Sequence, residues 1–490
     1  MIVDRIHHWA REQPDRPALI HNGTLWTYEA FAGAIGAARH HLAHLGLGRH
    51  DLAAICVGDL RAAWVTLLAL RELGLETTCF ESLDQAAIGA MFSGSSCACI
   101  VQGERHGNEA RAQLERQGIR IIEIPATALA GLNAPPTAPP AQPGRGPGGH
   151  TLHTSGSTGG RKLIRIAPAI EDAADRNRAR LLEYDRHTVQ HGLDFGLWTG
   201  VGFKQTAAVW HVGGCVVLDQ RTDRARRFFD HGVNRARLLP SSARAILDAL
   251  PPDSTPRDDL EVCLGGVAIA LVMAQETTRR IARGLTIVYG ATELSATAIQ
   301  SRFRSADDLE WLAPLGERRV QVVDENGFEC AAGREGALRI SLTPLDAQSY
   351  VGDPVASARA FRDGYFYPAD LAVKRADGRV RILGRQDDVI NFSGQKVPAT
   401  FVEQTIQERL RVPEVCVFAR AADDGGQELV IAIETDREPP DYELDALRRE
   451  FPTFSLVRAV VLKAFPRASS TLKVRRGELK ALVFSKASAN

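Results

Sequence analysis

The sequence predicts an α/β protein: a large layered α/β region, a β-rich region after it, and a small α+β region at the C-terminal end. Three observations predict it. Short apolar runs alternate with helical patterns from the N-terminus to about residue 323. From Gly316 the texture changes to period-two alternation. The last stretch, beyond Arg385, mixes one strand pair with two helical patterns.

The elements follow in order. Thr27–His44 carries apolar residues at helical spacing, while Leu52–Val57, Thr77–Phe80 and Ala98–Val101 are short apolar runs of the kind buried in a parallel sheet. Asn133–Gly149, NAPPTAPPAQPGRGPGG, is too rich in Pro and Gly to pack a core and reads as a flexible surface connection. A second alternating region, Leu152 to Val323, has strands near Gly214–Asp219, Leu260–Leu264 and Thr286–Tyr289. RVQVVDENGFE and ALRISL then alternate, with Asp324–Gly327 as a hairpin-like turn. Ala376-Asp377-Gly378 joins Leu371–Arg375 to Val380–Leu383. Thr400–Arg409 reads as helix, Val415–Arg420 and Leu429–Glu434 as strands, and a further helix closes the chain.

Composition narrows the function. The 490 residues carry 59 basic and 59 acidic side chains, and this neutrality argues against nucleic acid or a membrane surface as partner. The N-terminus has no apolar run of signal-peptide length, and no stretch approaches the roughly 20 apolar residues of a membrane span. The eight cysteines show no metal-ligand spacing and read as thiols in a reducing cytoplasm.

Thr154–Lys162, TSGSTGGRK, places three glycines and four hydroxyls between a strand and the strand-like run KLIRI. Such a loop offers converging N–H groups and hydroxyls to phosphate oxygens, and Lys162 adds a positive charge. It is not a Walker A loop, because Arg161 and Leu163 flank the lysine where Gly and Ser or Thr are required. Further along, Gly265-Gly266-Val267 follows a strand. Tyr289-Gly290-Ala291-Thr292-Glu293 offers a ring for purine stacking, a hydroxyl for phosphate and a carboxylate for Mg²⁺.

These segments, in this order, resemble the motifs of the adenylate-forming superfamily, which includes acyl-CoA synthetases, luciferases and the adenylation domains of peptide synthetases. The loop resembles TSGTTGxPK, with Arg161 in place of proline; Gly265–Val267 resembles the GGA-type turn beside adenine, and Tyr289–Glu293 resembles YGxTE. Pro368-Ala369-Asp370 stands at the TGD motif with Thr-Gly replaced. Gly384–Lys396 resembles GRxDDxIKxxGxKV, and Pro466–Leu479 resembles PxTxSGKxxRxxL, with Leu472 where glycine is usual.

The resemblance spans roughly residues 10–485 and implies an N-terminal AMP-binding domain over 1–386. That domain would comprise layered α/β subdomains and a β-barrel-like subdomain, followed by a small mobile C-terminal α+β domain over 387–490. It implies ATP- and AMP-binding roles for Thr154, Ser155, Gly156, Ser157, Thr158, Gly159, Lys162, Gly265, Gly266, Val267, Tyr289, Gly290, Ala291 and Thr292. Asp370 would hold the ribose hydroxyls and Arg385 the ribose and phosphate. Glu293 would ligate Mg²⁺, and Lys473, with Thr292 and Glu293, would act in catalysis. Asp387 matches the family's hinge, and Gly394 the glycine that leaves room for a thiol arm.

The implied reaction couples a carboxylic acid to AMP with release of pyrophosphate and then transfers the acyl group to a thiol. Coenzyme A is the expected second substrate. A carrier-protein phosphopantetheine or an amine remains an alternative acceptor, and a binding protein that has kept the fold without catalysis is a further one, prompted by Leu472 and Pro368-Ala369. Amino-acid-activating members carry an aspartate after an aromatic residue. The equivalent pair here falls near Trp198-Thr199, with no carboxylate unless Asp194 is shifted into place. Trp198, Thr199 and Phe203, with Gly196, Gly200 and Gly202, therefore suggest an apolar pocket for an aryl or acyl carboxylate.

Overall fold

The computed structural model describes residues 1–46, 52–81, 97–102, 108–124, 148–154, 162–192, 195–266, 269–386, 388–392, 395–410, 412, 414–421, 427–436, 456–467 and 474–489. They group into two compact units. The first comprises Met1–Thr154, Lys162–Glu317 and Leu342–Ala358, and the second Arg318–Ser341 with Arg359–Asn490. The boundary expected at 386/387 falls inside the second unit.

Two sheets build the first unit. A six-stranded sheet has the order Arg120–Glu123, Cys97–Gln102, Leu52–Val57, Glu76–Cys79, His150–His153 and Leu163–Ile166; only the last pairing is antiparallel. The other is nine-stranded, in the order Ala313–Pro314, Ile299–Arg302, Ala282–Tyr289, Arg257–Gly265, Arg235–Leu238, Val189–His191, Cys215–Leu218, Pro17–His21 and Thr24–Thr27. Its six inner strands are parallel, and antiparallel strands close both edges. Burial on both faces explains why the inner strands read as continuous apolar runs.

Helices cover these sheets because their ends are specified locally. Thr27 caps Tyr28–His44 by accepting from Ala30 N at 3.2 Å, and Asp59 caps Leu60–Glu72 by accepting from Ala62 N at 2.8 Å. Trp64 anchors the shared core, edge-on to Trp210 with centroids 4.9 Å apart and stacked on Phe203 at 5.5 Å. A wholly buried ion pair joins Leu60–Glu72 to the helix Pro168–Leu181: Arg71 Nη1 donates to Glu171 Oε1 at 2.6 Å and Nη2 to Oε2 at 3.2 Å. Arg71 Nε also donates to Gly148 O at 2.9 Å. Of the Pro/Gly-rich stretch, Gly148 and Gly149 are thus packed structure rather than loose connection. A Cβ on Gly148 would lie 1.7 Å from Leu75 O, so only glycine fits.

The second unit begins with an antiparallel sheet in the order Phe361–Arg362, Tyr365–Phe366, Glu335–Ser341, Asp370–Lys374 and Val380–Arg385, with Val320–Val323 also paired to Glu335–Ser341. A hairpin follows, Val389–Phe392 with Gln395–Pro398, and then the helix Ala399–Leu410. In the final sheet Gln427–Glu434 sits between Glu414–Ala421 and Leu456–Leu462, and the helix Arg476–Ala489 packs on it. Strand alternation divides two cores: Val415, Val417, Ile431 and Ile433 face Ile406, while Cys416, Phe418, Val430 and Ala432 face Leu479 and Val483. Both the β-rich region and the α+β end follow the sequence expectation. Among the described residues no helix is long and apolar enough to cross a membrane.

Candidate functional site

The strand Ala282–Tyr289 ends at Tyr289, and the motif turns out of it. Leu294 N donates to Ala291 O at 3.1 Å, and Ala298 N returns to Tyr289 O at 3.0 Å. Beside it, Arg257–Gly265 ends in parallel, with Gly265 opposite Val288. A Cβ at Gly265 would meet Val288 O at 2.5 Å, and Gly266 has φ near +90°, so each glycine is required where it stands. Gly265, Gly266 and Tyr289 therefore lie together at the carboxyl ends of neighbouring parallel strands, the place where open α/β sheets bind ligands.

Four side chains hold the loop that follows. Lys204 Nζ donates to Thr292 O at 2.7 Å and to Leu294 O at 2.8 Å, gripping the carbonyls on either side of Glu293. Arg178 Nε donates to Ser295 O at 2.7 Å, and Asp346 Oδ1 accepts from Ser295 N at 2.6 Å. Tyr350 Oη donates to Glu293 Oε1 at 2.7 Å. Glu293 is buried and has no ion-pair partner among the described residues. Burial pushes the Lys204 ammonium down to about 7, with Arg178 adding repulsion. A neutral amine still has two N–H groups, enough for its two carbonyls. Burial likewise raises Asp175 to about 7 despite its 2.6 Å contact with Arg178.

The same contacts bring in the end of the glycine-rich loop. Thr154 N donates to Lys162 O at 2.9 Å, and Lys162 Nζ lies 4.9 Å from the centre of the Tyr350 ring, over its face. Thr154, Lys162, Tyr350 and Glu293 thus form one chain of neighbours. Ser155, Gly156, Ser157, Thr158, Gly159 and Val267 lie outside the described residues.

The helix Gly200–His211 adjoins this loop. Thr199 caps it, accepting from Gly202 N at 2.9 Å and donating to Gly196 O at 2.8 Å. A Cβ at Gly200 would be 2.8 Å from Thr292, and one at Gly202 would be 2.1 Å from Gly196 O. The Trp198 ring fills the space beside Gly196, and its Nε1 has no hydrogen-bond partner. Phe203 is fully buried, its ring between Trp64 and, at 4.1 Å, His150.

In the second unit Asp370 and Arg385 face each other across paired strands. Arg385 Nη1 donates to Pro368 O at 2.7 Å and lies 3.5 Å from Asp370 Oδ1. Ala369 has φ near +62°, the left-handed conformation that favours glycine, and Gln386 N donates to Ala369 O at 2.9 Å. The loop keeps a glycine-like shape without the glycine. Asp387, Gly394 and Lys473 lie outside the described residues.

Lys204, Arg178, Asp346 and Tyr350 escape sequence reasoning. Lys204 alone leaves a trace, as the single charge in the otherwise uncharged segment GVGFKQTAAVWH.

A layered α/β fold with a pinned acidic loop at the carboxyl ends of its parallel strands defines a class of protein that binds its ligand at those strand ends. A family model described as AMP-binding enzyme matches residues 6–347, and the chain belongs to that family, within the adenylate-forming superfamily. Nonribosomal peptide synthetase 8 of Aspergillus fumigatus is 24% identical over 442 residues, covering 84% of this chain and 5% of its own length. The medium/long-chain-fatty-acid–CoA ligase FadD8 of Mycobacterium tuberculosis is 32% identical over 231 residues, covering 45% of this chain and 40% of its own. The chain spans less than half the length of these curated relatives. The o-succinylbenzoate coenzyme A synthetase MenE from Bacillus subtilis, solved with ATP and magnesium ion, shares the fold with a TM-score of 0.79 at 18% identity, covering 97% of this chain and 99% of that one.

Proposed function

We propose that this chain activates a carboxylic acid, aryl or acyl, as an acyl-adenylate and passes the acyl group to the thiol of a pantetheine arm, that of coenzyme A. The observation that carries the reading is the Tyr289–Glu293 motif itself, held in a fixed turn with a buried carboxylate that has no ion-pair partner among the described residues. In the first step a carboxylate oxygen of the acid bonds to the α-phosphorus of ATP, and the bond to the pyrophosphate oxygen breaks. Two anions must approach, so preorganised cations and N–H dipoles carry the catalysis. Lys473 would bridge the acid and the α-phosphate, while Lys162 and the N–H groups and hydroxyls of its loop would bind the outer phosphates. Tyr289 would stack on adenine beside Gly265 and Gly266. Asp370 and Arg385 would hold the ribose.

Glu293 fits Mg²⁺. Among the described residues no group of three or more His, Cys, Asp or Glu side chains could hold a metal ion by itself, and Mg²⁺ is commonly bound by one or two carboxylates together with substrate phosphates. When bound, the ion would neutralise charge on the phosphates. Glu293 would orient it, with its own carboxylate fixed by Tyr350.

Lys473→Ala should abolish adenylate formation, and Asp387→Pro should spare it while impairing transfer, as hinge alternation requires. The relation to peptide synthetases over most of the chain favours a second reading for the last step, delivery to a carrier-protein phosphopantetheine. Acid-dependent pyrophosphate release over a panel of aryl, acyl and amino acids tests the first step. Adding coenzyme A or a carrier protein then decides the second. An adenylate discharged only by a carrier protein or an amine would overturn coenzyme A as acceptor, and absence of release with every acid would overturn the whole reading.

A further inference from the structure

The helix Tyr28–His44 buries one stripe in the first unit, where Phe31, Ile35, Ala38 and Leu42 join the shared core. Its last turn also has an outer face. His40 and His44 are exposed there, four residues apart, and so stand one above the other on one stripe. Their Nε2 atoms are 2.8 Å apart, the ring centres 4.3 Å apart, and the ring planes lie at 86°. His41, one residue on, is rotated away from the pair. Gly36, Ala37 and Ala43, the described neighbours along the stripe, are all small, so none of them crowds the two rings.

Two accounts of this contact differ in geometry. A straight hydrogen bond, with one Nε2–H aimed along the lone pair of the other, would set the ring centres about 5 Å apart. Two nitrogens that aim at a common point bring the centres closer. At the usual metal–imidazole distance of about 2.0–2.1 Å, a right-angled pair has its nitrogens about 2.9 Å apart and its ring centres about 4.5 Å apart. A tetrahedral pair would have them about 3.4 Å and about 5.2 Å apart. The observed 2.8 Å and 4.3 Å match the right-angled pair in both measures.

We propose that His40 and His44 form a chelating site for a late first-row divalent cation, Cu²⁺ first and Ni²⁺ second. Each ring gives its Nε2 lone pair and keeps its proton on Nδ1. The spacing is the one by which a single helix presents two imidazoles to one metal ion. Among the described residues no third His, Cys, Asp or Glu joins them, so water fills the remaining positions and the ion exchanges freely. The place favours a cation. The pair lies in the last turn, at the negative end of the helix dipole. The neighbouring guanidinium of Arg39 is turned to Glu72, with Nη1 3.5 Å from Oε2. Imidazole nitrogens order affinities with Cu²⁺ above Ni²⁺ and Zn²⁺, whereas Mg²⁺ prefers oxygen. The site is therefore separate in chemistry from Glu293, and the proposal does not rest on the adenylation reading.

The test titrates Cu²⁺, Ni²⁺, Zn²⁺ and Mg²⁺ chlorides into the full chain by calorimetry, and compares His40→Gln, His44→Gln and the double variant. The chain holds 14 histidines, so the difference between wild type and variants is the quantity read. The wild type should bind Cu²⁺ in the micromolar range, and each single variant should bind it about 30-fold or more weakly, because a lone imidazole loses the chelate. Electron paramagnetic resonance with less than one equivalent of Cu²⁺ should show coupling to two nitrogens in the wild type and lose that pattern in each single variant. Glutamine is a good helix former at an exposed position, and matched melting curves would show that the variants fold. Cu²⁺ binding unchanged in the double variant overturns the proposal, as does wild-type binding only at millimolar Cu²⁺. Zn²⁺ bound more tightly than Cu²⁺ overturns the right-angled assignment and with it the choice of ion.

Discussion

Among the described residues Glu293 receives a single hydrogen bond to its carboxylate, from the Tyr350 hydroxyl. A charge-assisted bond of this kind is worth about 1.5–3 kcal/mol, and here it fixes the direction in which the free oxygen points. Tyr350→Phe should therefore lower the rate of adenylate formation by about tenfold and raise the Mg²⁺ concentration needed for half-maximal rate. An unaltered Mg²⁺ dependence would count against the positioning role. A second residue carries strain. Ala369 holds a left-handed backbone that disfavours any residue with a Cβ by roughly 1–2 kcal/mol. Ala369→Gly should relieve it, partly offset by the greater chain entropy of glycine, for a net gain of about 0.5–1 kcal/mol in denaturant unfolding.

The helix Gly200–His211 meets the loop before it at its first turn and the Glu293 loop through Lys204. Its approach depends on Gly202, whose missing side chain lets the helix lie against the carbonyls of Phe195 and Gly196. Gly202→Ala should push the helix away, destabilising the protein by about 2–3 kcal/mol and, through Lys204, loosening the Thr292–Leu294 turn. Circular dichroism melts and adenylation rates should fall together; a stable variant with slow adenylation would mean that the helix shifts without unfolding. Elements of this kind were legible in the sequence as patterns, because capping by Thr27 and the turn at Asp324–Gly327 use near neighbours. The same holds for the motifs at Gly265-Gly266 and Tyr289–Glu293, where consecutive residues shape one turn. Lys204 and Tyr350 were hidden for the opposite reason, since their partners stand 88 and 57 residues away. No local pattern encodes such pairings.

At the scale of the whole molecule, buried ionisable groups couple stability to pH. Lys204 titrates near 7 in the fold and at its ordinary 10.5 when unfolded. Between these values the unfolded chain holds a proton that the native one has released, so this group makes stability rise with pH, by at most about 1.4 kcal/mol per unit. Asp175, raised to about 7, acts in the other direction from about pH 4 to 7. Urea unfolding at pH 7 and 8.5 should show the wild type gaining more than Lys204→Met; parallel changes in both would remove the assignment. Connectivity has consequences as well. Alternation of elements announced an α/β molecule, but not that the early strand Pro17–His21 lies beside Cys215–Leu218 in the second sheet rather than with the strands that follow it.

That pairing sets a timetable for birth on the ribosome. Pro17–His21 emerges about 200 residues ahead of its parallel mate, a delay on the order of 10–40 s at ordinary elongation rates. Until then its only ladder is the short ribbon with Thr24–Thr27, and one edge stands bare to other nascent chains. A fragment ending before Cys215 keeps that edge open for good, and aggregation rather than folding is its expected fate.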